Sequence, residues 1–285
     1  MTVREAIQRH TARLERVGVP SARLDAEWLL AHVLDVPRLE MGLTPQRPLT
    51  AQQAKRFHAL AARRARRVPL QHLVGTVSFC GIELAVNRRV LIPRPETELL
   101  AELATKFLQQ QTGSLRALDF GTGSGCLAIA LALTVPATRV DALDISAAAL
   151  RVARANARRH GVASRIRFCL GDGRRGLPGR AGYHLIVSNP PYISTAEIAA
   201  LQPEVRDHDP HHALDGGNDG LDFYRALATH AHRRMYSQGC LMLEIGDGQA
   251  AAVRDLFSGN GWRVRAVHPD LNGTDRIVVA TRDDS

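Results

Sequence analysis

Leu115-Arg116-Ala117-Leu118-Asp119-Phe120-Gly121-Thr122-Gly123-Ser124-Gly125 joins a short apolar run to a turn with glycine at every second position. The run reads as a buried strand, and from here to the C-terminus short β-branched or apolar runs alternate with helical stretches. Three glycines remove side chains where a ligand has to approach the backbone, and they accept dihedrals that other residues resist. The spacing is G-x-G-x-G. A dinucleotide fingerprint asks for a small residue three positions after Gly123, where Cys126 stands, and a phosphate loop asks for a Gly-Lys-Ser/Thr ending. Both departures argue against a nicotinamide enzyme or a nucleotide triphosphatase.

Candidate strands lie at 115–120, 139–143, 166–170, 184–188, 239–245, 262–268 and 276–280. Strand–helix alternation of this kind predicts an α/β, Rossmann-like seven-stranded sheet, mostly parallel and covered on both faces. The last two strands are joined so closely that they must run antiparallel, making the last strand the antiparallel one. Upstream, residues 1–74 read as a helical domain. Thr2 with Glu5 and Thr50 with Gln53 are capping-box patterns, and Gly18 is placed to end the first helix. Leu24, Trp28, Leu29 and Val33 recur at helical spacing in the second. The run Arg63-Arg64-Ala65-Arg66-Arg67 is expected either as a solvated, dipole-compensating helix end or as a docking patch. Residues 75–92 form a hairpin linker around Gly81, and 93–285 the α/β domain.

Lys and Arg number 37 against 28 Asp and Glu, a net charge of +9. Residues 1–85 hold 13 of the basic and 7 of the acidic side chains, so the helical part carries most of the field. That suits an acidic partner or one bound to nucleic acid. The 45% hydrophobic content argues against disorder. No apolar run approaches the ~20 residues of a membrane span. Cys80, Cys126, Cys169 and Cys240 are far apart, with no C-x-x-C pair, as expected of reduced thiols in a cytoplasmic protein.

Three further strand ends carry chemistry. Asp144 closes its strand 21 residues after Gly123, where an acid can take both hydroxyls of a ribose. Asp172, in Gly171-Asp172-Gly173, could accept from an adenine amino group or simply serve a turn. Ser188-Asn189-Pro190-Pro191-Tyr192 ends the fourth strand, because two prolines remove two backbone donors. It leaves a stiff rim of acceptors, the Asn189 side-chain oxygen and the carbonyls of Asn189 and Pro190, next to the planar ring of Tyr192. Such a rim suits a flat group bearing N–H₂. Ligands of open α/β sheets bind beyond the carboxyl ends of strands, and an adenosine without phosphates fits these four ends.

Together the Gly-rich turn, the ribose aspartate and Asn-Pro-Pro-Tyr resemble class I S-adenosylmethionine-dependent methyltransferases acting on amino groups. Pro69-Leu70-Gln71-His72, Ile92-Pro93-Arg94-Pro95-Glu96-Thr97-Glu98, Val187–Ile193 and Leu214-Asp215-Gly216-Gly217-Asn218-Asp219-Gly220-Leu221 narrow this to the release-factor glutamine N5-methyltransferases (HemK/PrmC family). The resemblance covers nearly the whole chain. It implies a cytoplasmic enzyme that methylates the glutamine of the Gly-Gly-Gln motif of class I peptide-chain release factors, with no metal and no direct nucleic-acid substrate. It further implies that Gly121, Thr122, Gly123, Ser124, Gly125, Asp144, Asp172 and Asn189 hold S-adenosylmethionine. The same resemblance implies that Asn189, Pro190 and Tyr192 act in catalysis and, with Pro191, bind the glutamine. Gly173 departs from the pattern. Relatives often have an aromatic residue there, so the adenine side of the pocket is expected to be looser.

The alternatives are a glutamine methyltransferase of a large-subunit ribosomal protein, disfavoured by Arg94–Glu98, and a nucleic-acid amino-methyltransferase, which would need a flipped base and a recognition element. A non-catalytic binding protein would not require the acceptor geometry of Asn189–Tyr192. His208, His211 and His212 lack the spacing of a helical zinc site and read as a solvated or substrate-facing loop.

Overall fold

The computed structural model describes residues 1–179 and 182–283. Two compact units emerge, one made of Met1–Thr76 with Gln202–His208, the other of Val77–Leu201 with the chain from Asp209 onward.

The first unit is helical: α1 (Val3–Arg16), α2 (Ala22–Leu34), the single turn α3 (Glu40–Leu43), α4 (Ala51–Arg64) and the short α5 (Leu70–Val74). Both capping boxes form, with Thr2 and Thr50 side chains accepting from the amides of Glu5 and Gln53 and those side chains reaching back. Each such cap is worth ~1 kcal/mol. Val3, Leu14, Leu29, Leu30, Phe57 and Leu73 meet in the core. On α2 the buried stripe runs through Ala22, Ala26, Leu29, Leu30 and Val33 and leaves Leu24 and Trp28 exposed.

The basic run at the end of α4 is neither a wholly solvated end nor a free patch. Arg64 is 5% exposed; its Nε donates to Asp25 Oδ2 at 2.7 Å and its Nη1 to Glu204 Oε1 at 2.8 Å. Arg67 donates from Nε and Nη2 to the two Glu204 oxygens, each at 2.6 Å, and from Nη1 to Gly18 O at 2.9 Å. Burial works against ionisation of Glu204, but the two guanidiniums outweigh it and hold the carboxyl below its usual range. This network explains why 202–208, placed by sequence inside the α/β part, packs with the helices.

Next comes the hairpin β1 (Thr76–Phe79) and β2 (Ile82–Ala85), turned at Cys80 and Gly81 and lying in the second unit from Val77 on. In chain order there follow α6 (Pro95–Gln109), β3 (Leu115–Phe120), α7 (Cys126–Thr134), β4 (Thr138–Asp144), α8 (Ala147–Arg159), β5 (Ile166–Leu170) and β6 (Tyr183–Ser188). After α9 (Pro203–Arg206), which belongs to the first unit, come α10 (Asp222–Ala231), β7 (Met235–Glu244), α11 (Ala250–Ser258), β8 (Trp262–Pro269) and β9 (Asp275–Arg282). The sheet order is β5-β4-β3-β6-β7-β9-β8, parallel except for β9, which is antiparallel to both neighbours. β7 starts four residues before the expected strand, because Met235 pairs with Tyr183 ahead of a register shift.

Alternation along the strands sorts two cores. Ala117, Leu185 and Val187 face α6 and α7 with Leu100, Leu108 and Leu131. Leu118, Ile186 and Leu241 face α10 and α11 with Tyr224, Leu227 and Phe257. The chain moves outward from β3 to β5 and returns to β6 on the other side of β3, so strand order reverses between β3 and β6. That reversal opens a crevice at their carboxyl ends.

Candidate functional site

A cavity of about 490 Å³ occupies this crevice, within the ~300–1,000 Å³ usual for small-molecule sites. Gly121, Gly123, Asp144, Asp172, Asn189 and Pro191 line it. Thr122, Ser124, Gly125, Pro190 and Tyr192 stand outside the lining.

The Gly-rich turn is pinned from behind. The amides of Gly121 and Thr122 both donate to Leu143 O at 2.9 Å. Asp119 is 1% exposed, and its Oδ2 accepts from Thr122 Oγ1 at 2.6 Å and from Ala128 N at 3.1 Å. Burial pushes the Asp119 carboxyl up to about 7, against those two bonds. Thr122 is therefore committed to holding the turn. Gly125, at the start of α7, faces Ala153 and Ile129, each 3.1 Å from where a Cβ would sit. A Cβ on Gly121 would meet nothing within 4 Å, so that position opens directly to the cavity.

Asp144 accepts from Gly123 N on Oδ2 at 2.9 Å and from Ser146 N on Oδ1 at 2.7 Å. Ser146 itself caps α8 through Ala149 N, so the aspartate is spared that task. Each carboxylate oxygen keeps a lone pair for a ligand hydroxyl. Burial raises the Asp144 pKa, with the two amides and the His212 charge opposing it.

Asp172 combines both readings offered by the sequence. It caps a short turn through Arg174 N, pairs with the Arg174 guanidinium at 3.0 Å, and lines the cavity. The Arg174 hydrogen bond holds its carboxyl below the usual range. The expected looseness at Gly173 is not found. The Phe120 ring fills the space, with Cε2 only 2.2 Å from where a Gly173 Cβ would lie. Phe223 meets Phe120 edge to face, and Arg174 lies over Phe223.

The Asn-Pro-Pro-Tyr loop is held by the Leu214–Leu221 stretch. Ile193 N donates to Leu214 O at 3.1 Å and Gly216 N to Ile193 O at 2.8 Å. A Cβ at Gly216 would lie 2.9 Å from Pro191 O, and one at Gly220 2.3 Å from Tyr192 O. Only glycine permits that approach. Gln249 Nε2 donates to Tyr192 O at 2.9 Å. Asn189 turns its Nδ2 to Thr97 Oγ1 at 2.9 Å, and Thr97 donates to Glu244 Oε2 at 2.7 Å.

Phe120, Phe223 and Arg89–Leu91 line the wall with no role assigned to them from sequence, whereas His211 and His212, on the loop read as solvated or substrate-facing, line it as well. Thr97 lies in the Ile92–Glu98 motif, where its sequence position alone indicates no role. Glu244 was signalled only as a lone acid ending the apolar run Leu241–Leu243, the kind of buried charge that needs a partner. Among the described residues no group of three or more His, Cys, Asp or Glu is placed to hold a metal ion. None of their helices is long and apolar enough to cross a membrane.

Two family models match the sequence, "PrmC N-terminal domain" over residues 5–75 and "Methyltransferase small domain" over residues 97–206. The release factor glutamine methyltransferase of Geobacter sulfurreducens is 42% identical over 278 residues, 97% of this chain and 95% of its own length. That of Cereibacter sphaeroides is 43% identical over 280 residues, 98% of both chains. The chain belongs to the release factor glutamine methyltransferase family. A solved methyltransferase from Pyrococcus furiosus shares the fold, with a TM-score of 0.53 at 17% identity over 78% of this chain and 98% of that one. The first family segment spans the helices α1–α5; the second begins at Thr97 and takes in the turn, Asp144, Asp172 and Asn189.

Proposed function

We propose that this chain transfers a methyl group from S-adenosylmethionine to the side-chain amide nitrogen (N5) of the glutamine in the Gly-Gly-Gln motif of class I release factors, in the cytoplasm. The observation that carries the reading is the Asn189 carboxamide: it lines the cavity with Nδ2 tied to Thr97, which leaves Oδ1 as the acceptor for a substrate amide.

The cavity suits the cofactor. Asp144 offers two oxygens, each with one backbone N–H already attached, to a pair of ribose hydroxyls. Gly121 presents open backbone, Leu143 and Ile145 an apolar wall, and Asp172 an acceptor. When bound, S-adenosylmethionine supplies a methyl group on positively charged sulfur, already activated for transfer.

The remaining work falls to the protein. A glutamine amide nitrogen is a poor nucleophile because its lone pair is delocalised into the carbonyl. Asn189 Oδ1 and the Pro190 carbonyl accept its two N–H bonds and favour the positive charge that grows on nitrogen. Tyr192, with its carbonyl clamped by Gln249, orients the flat amide, which lowers the entropic part of the barrier. The N-protonated amide is very acidic and loses its proton to water, so no strong base is needed. The helical unit, with Leu24, Trp28, Leu39 and Leu43 exposed, is the docking element for the protein substrate in this reading.

The test is direct. The protein is incubated with labelled S-adenosylmethionine and, separately, a release factor, ribosomal proteins and duplex DNA, and the label is mapped by mass spectrometry. Label on the Gly-Gly-Gln glutamine sustains the proposal; label confined to a ribosomal protein or a base overturns it.

A further inference from the structure

Asn189, Thr97 and Glu244 form a hydrogen-bonded chain that runs from the cavity wall into the protein core. Thr97, in the first turn of α6, is 2% exposed, and Glu244, the last residue of β7, is 1% exposed. We infer that Thr97 and Glu244 are positioning residues, which fix the orientation and polarity of the Asn189 carboxamide so that its oxygen, not its nitrogen, meets the substrate amide. This rests on the glutamine-methylation reading given above.

The argument is one of donors and acceptors. An ionised carboxylate only accepts, so the Thr97 hydroxyl has to donate to Glu244. Its lone pairs are then left to accept, and the partner they accept from has to be an N–H. Asn189 therefore turns Nδ2 inward at 2.9 Å, and the planar amide leaves Oδ1 on the opposite side. A carboxylate at the inner end also polarises the hydroxyl and the amide in series, making Oδ1 a stronger acceptor for a nitrogen gaining positive charge. A protonated Glu244 donates instead, and the chain no longer dictates a direction.

Charge around Glu244 sets where that switch falls. Burial pushes its carboxyl up to about 7, against the Thr97 hydrogen bond. Glu96 of α6 raises it further, and Arg276 of β9 and the Tyr192 phenol lower it. Tyr224 of α10 approaches as well, donating its hydroxyl to the Glu244 carbonyl at 3.0 Å. Turnover should therefore rise with pH through the region near 7.

Two readouts test this on the full chain. In ¹⁵N spectra the Asn189 side-chain amide is identified by its absence from Asn189→Ala. In the wild type this signal should titrate with a midpoint near 7. The titration should vanish in Thr97→Val, which keeps the volume but not the hydroxyl, and in Glu244→Gln, and persist in Thr97→Ser. In kinetics, Thr97→Val should lose about tenfold or more in kcat, with KM and cofactor affinity within about twofold, and Thr97→Ser should restore the rate. An Asn189 signal that titrates alike in wild type and both hydroxyl- and carboxylate-deficient variants overturns the inference. So does a Thr97→Val kcat equal to wild type. The spectra need no methyl transfer, so a protein inert toward release factors would sink the functional proposal while the Asn189 signal still decides the chain.

Discussion

At the scale of single residues the site is built from carboxylates and amides whose partners restrict what they can do. Asp144 already holds two backbone N–H groups, so its remaining acceptor capacity points at the cavity. Asp144→Ala should weaken cofactor binding by about 1–3 kcal/mol through lost charge-assisted hydrogen bonds. Isothermal calorimetry reads this directly, and unchanged affinity would remove Asp144 from the binding surface. Gly173 and Phe120 form a compensating pair. Gly173→Ala drives a methyl into the Phe120 ring and should cost ~1–3 kcal/mol of stability. The same substitution made on Phe120→Leu should cost measurably less. A double-mutant cycle by urea unfolding gives the coupling, and additive effects would mean that the ring moves aside freely.

Among the elements, the end of α4 is where buried charge does structural work. Arg64 sits between Asp25 of α2 and Glu204 of α9, with the Arg64 and Asp25 side chains only 6% and 7% exposed. Removing one partner leaves an uncompensated buried charge. Arg64→Ala should destabilise the protein by ~3–5 kcal/mol, whereas Arg63→Ala, one position away on an exposed side chain, should fall within ±0.5 kcal/mol. Thermal melts of the two variants compare them. Equal, small effects would show that water replaces the guanidinium without penalty.

Across the whole molecule, buried acids tie stability to pH. Asp119 and Glu244 are pushed to about 7, and Asp209 to about 6, from ordinary values near 4, burial being the largest cause in each. The folded state binds these protons more tightly than the unfolded chain. Their contribution is fully present below the unfolded pKa values and is lost as pH rises through 6 to 7. His10 runs the other way: burial lowers it to about 4, so its contribution is present above 6.5 and lost as pH falls towards 4. Asp119→Asn mimics the protonated acid, so its unfolding free energy should decline less between pH 5 and pH 8 than that of the wild type. Denaturant titrations at the two pH values decide it; parallel declines would mean that Asp119 does not titrate in this window.

What the sequence determined by itself is what near neighbours determine. Thr2 with Glu5 and Thr50 with Gln53 specify helix starts within four residues. Short apolar or β-branched runs mark all seven strands of the large sheet, and Gly-rich turn, ribose aspartate and Asn-Pro-Pro-Tyr announce a crevice of backbone and acceptors. Pairings across long separations come from the fold. Thr97 reaches Glu244 over 147 positions and Arg64 reaches Glu204 over 140. The Phe120 ring takes the space that an aromatic at Gly173 would otherwise fill. Dihedral preference and periodicity act within a few residues. Which buried donor meets which acceptor depends on the order in which strands lie side by side, and that order reverses between β3 and β6.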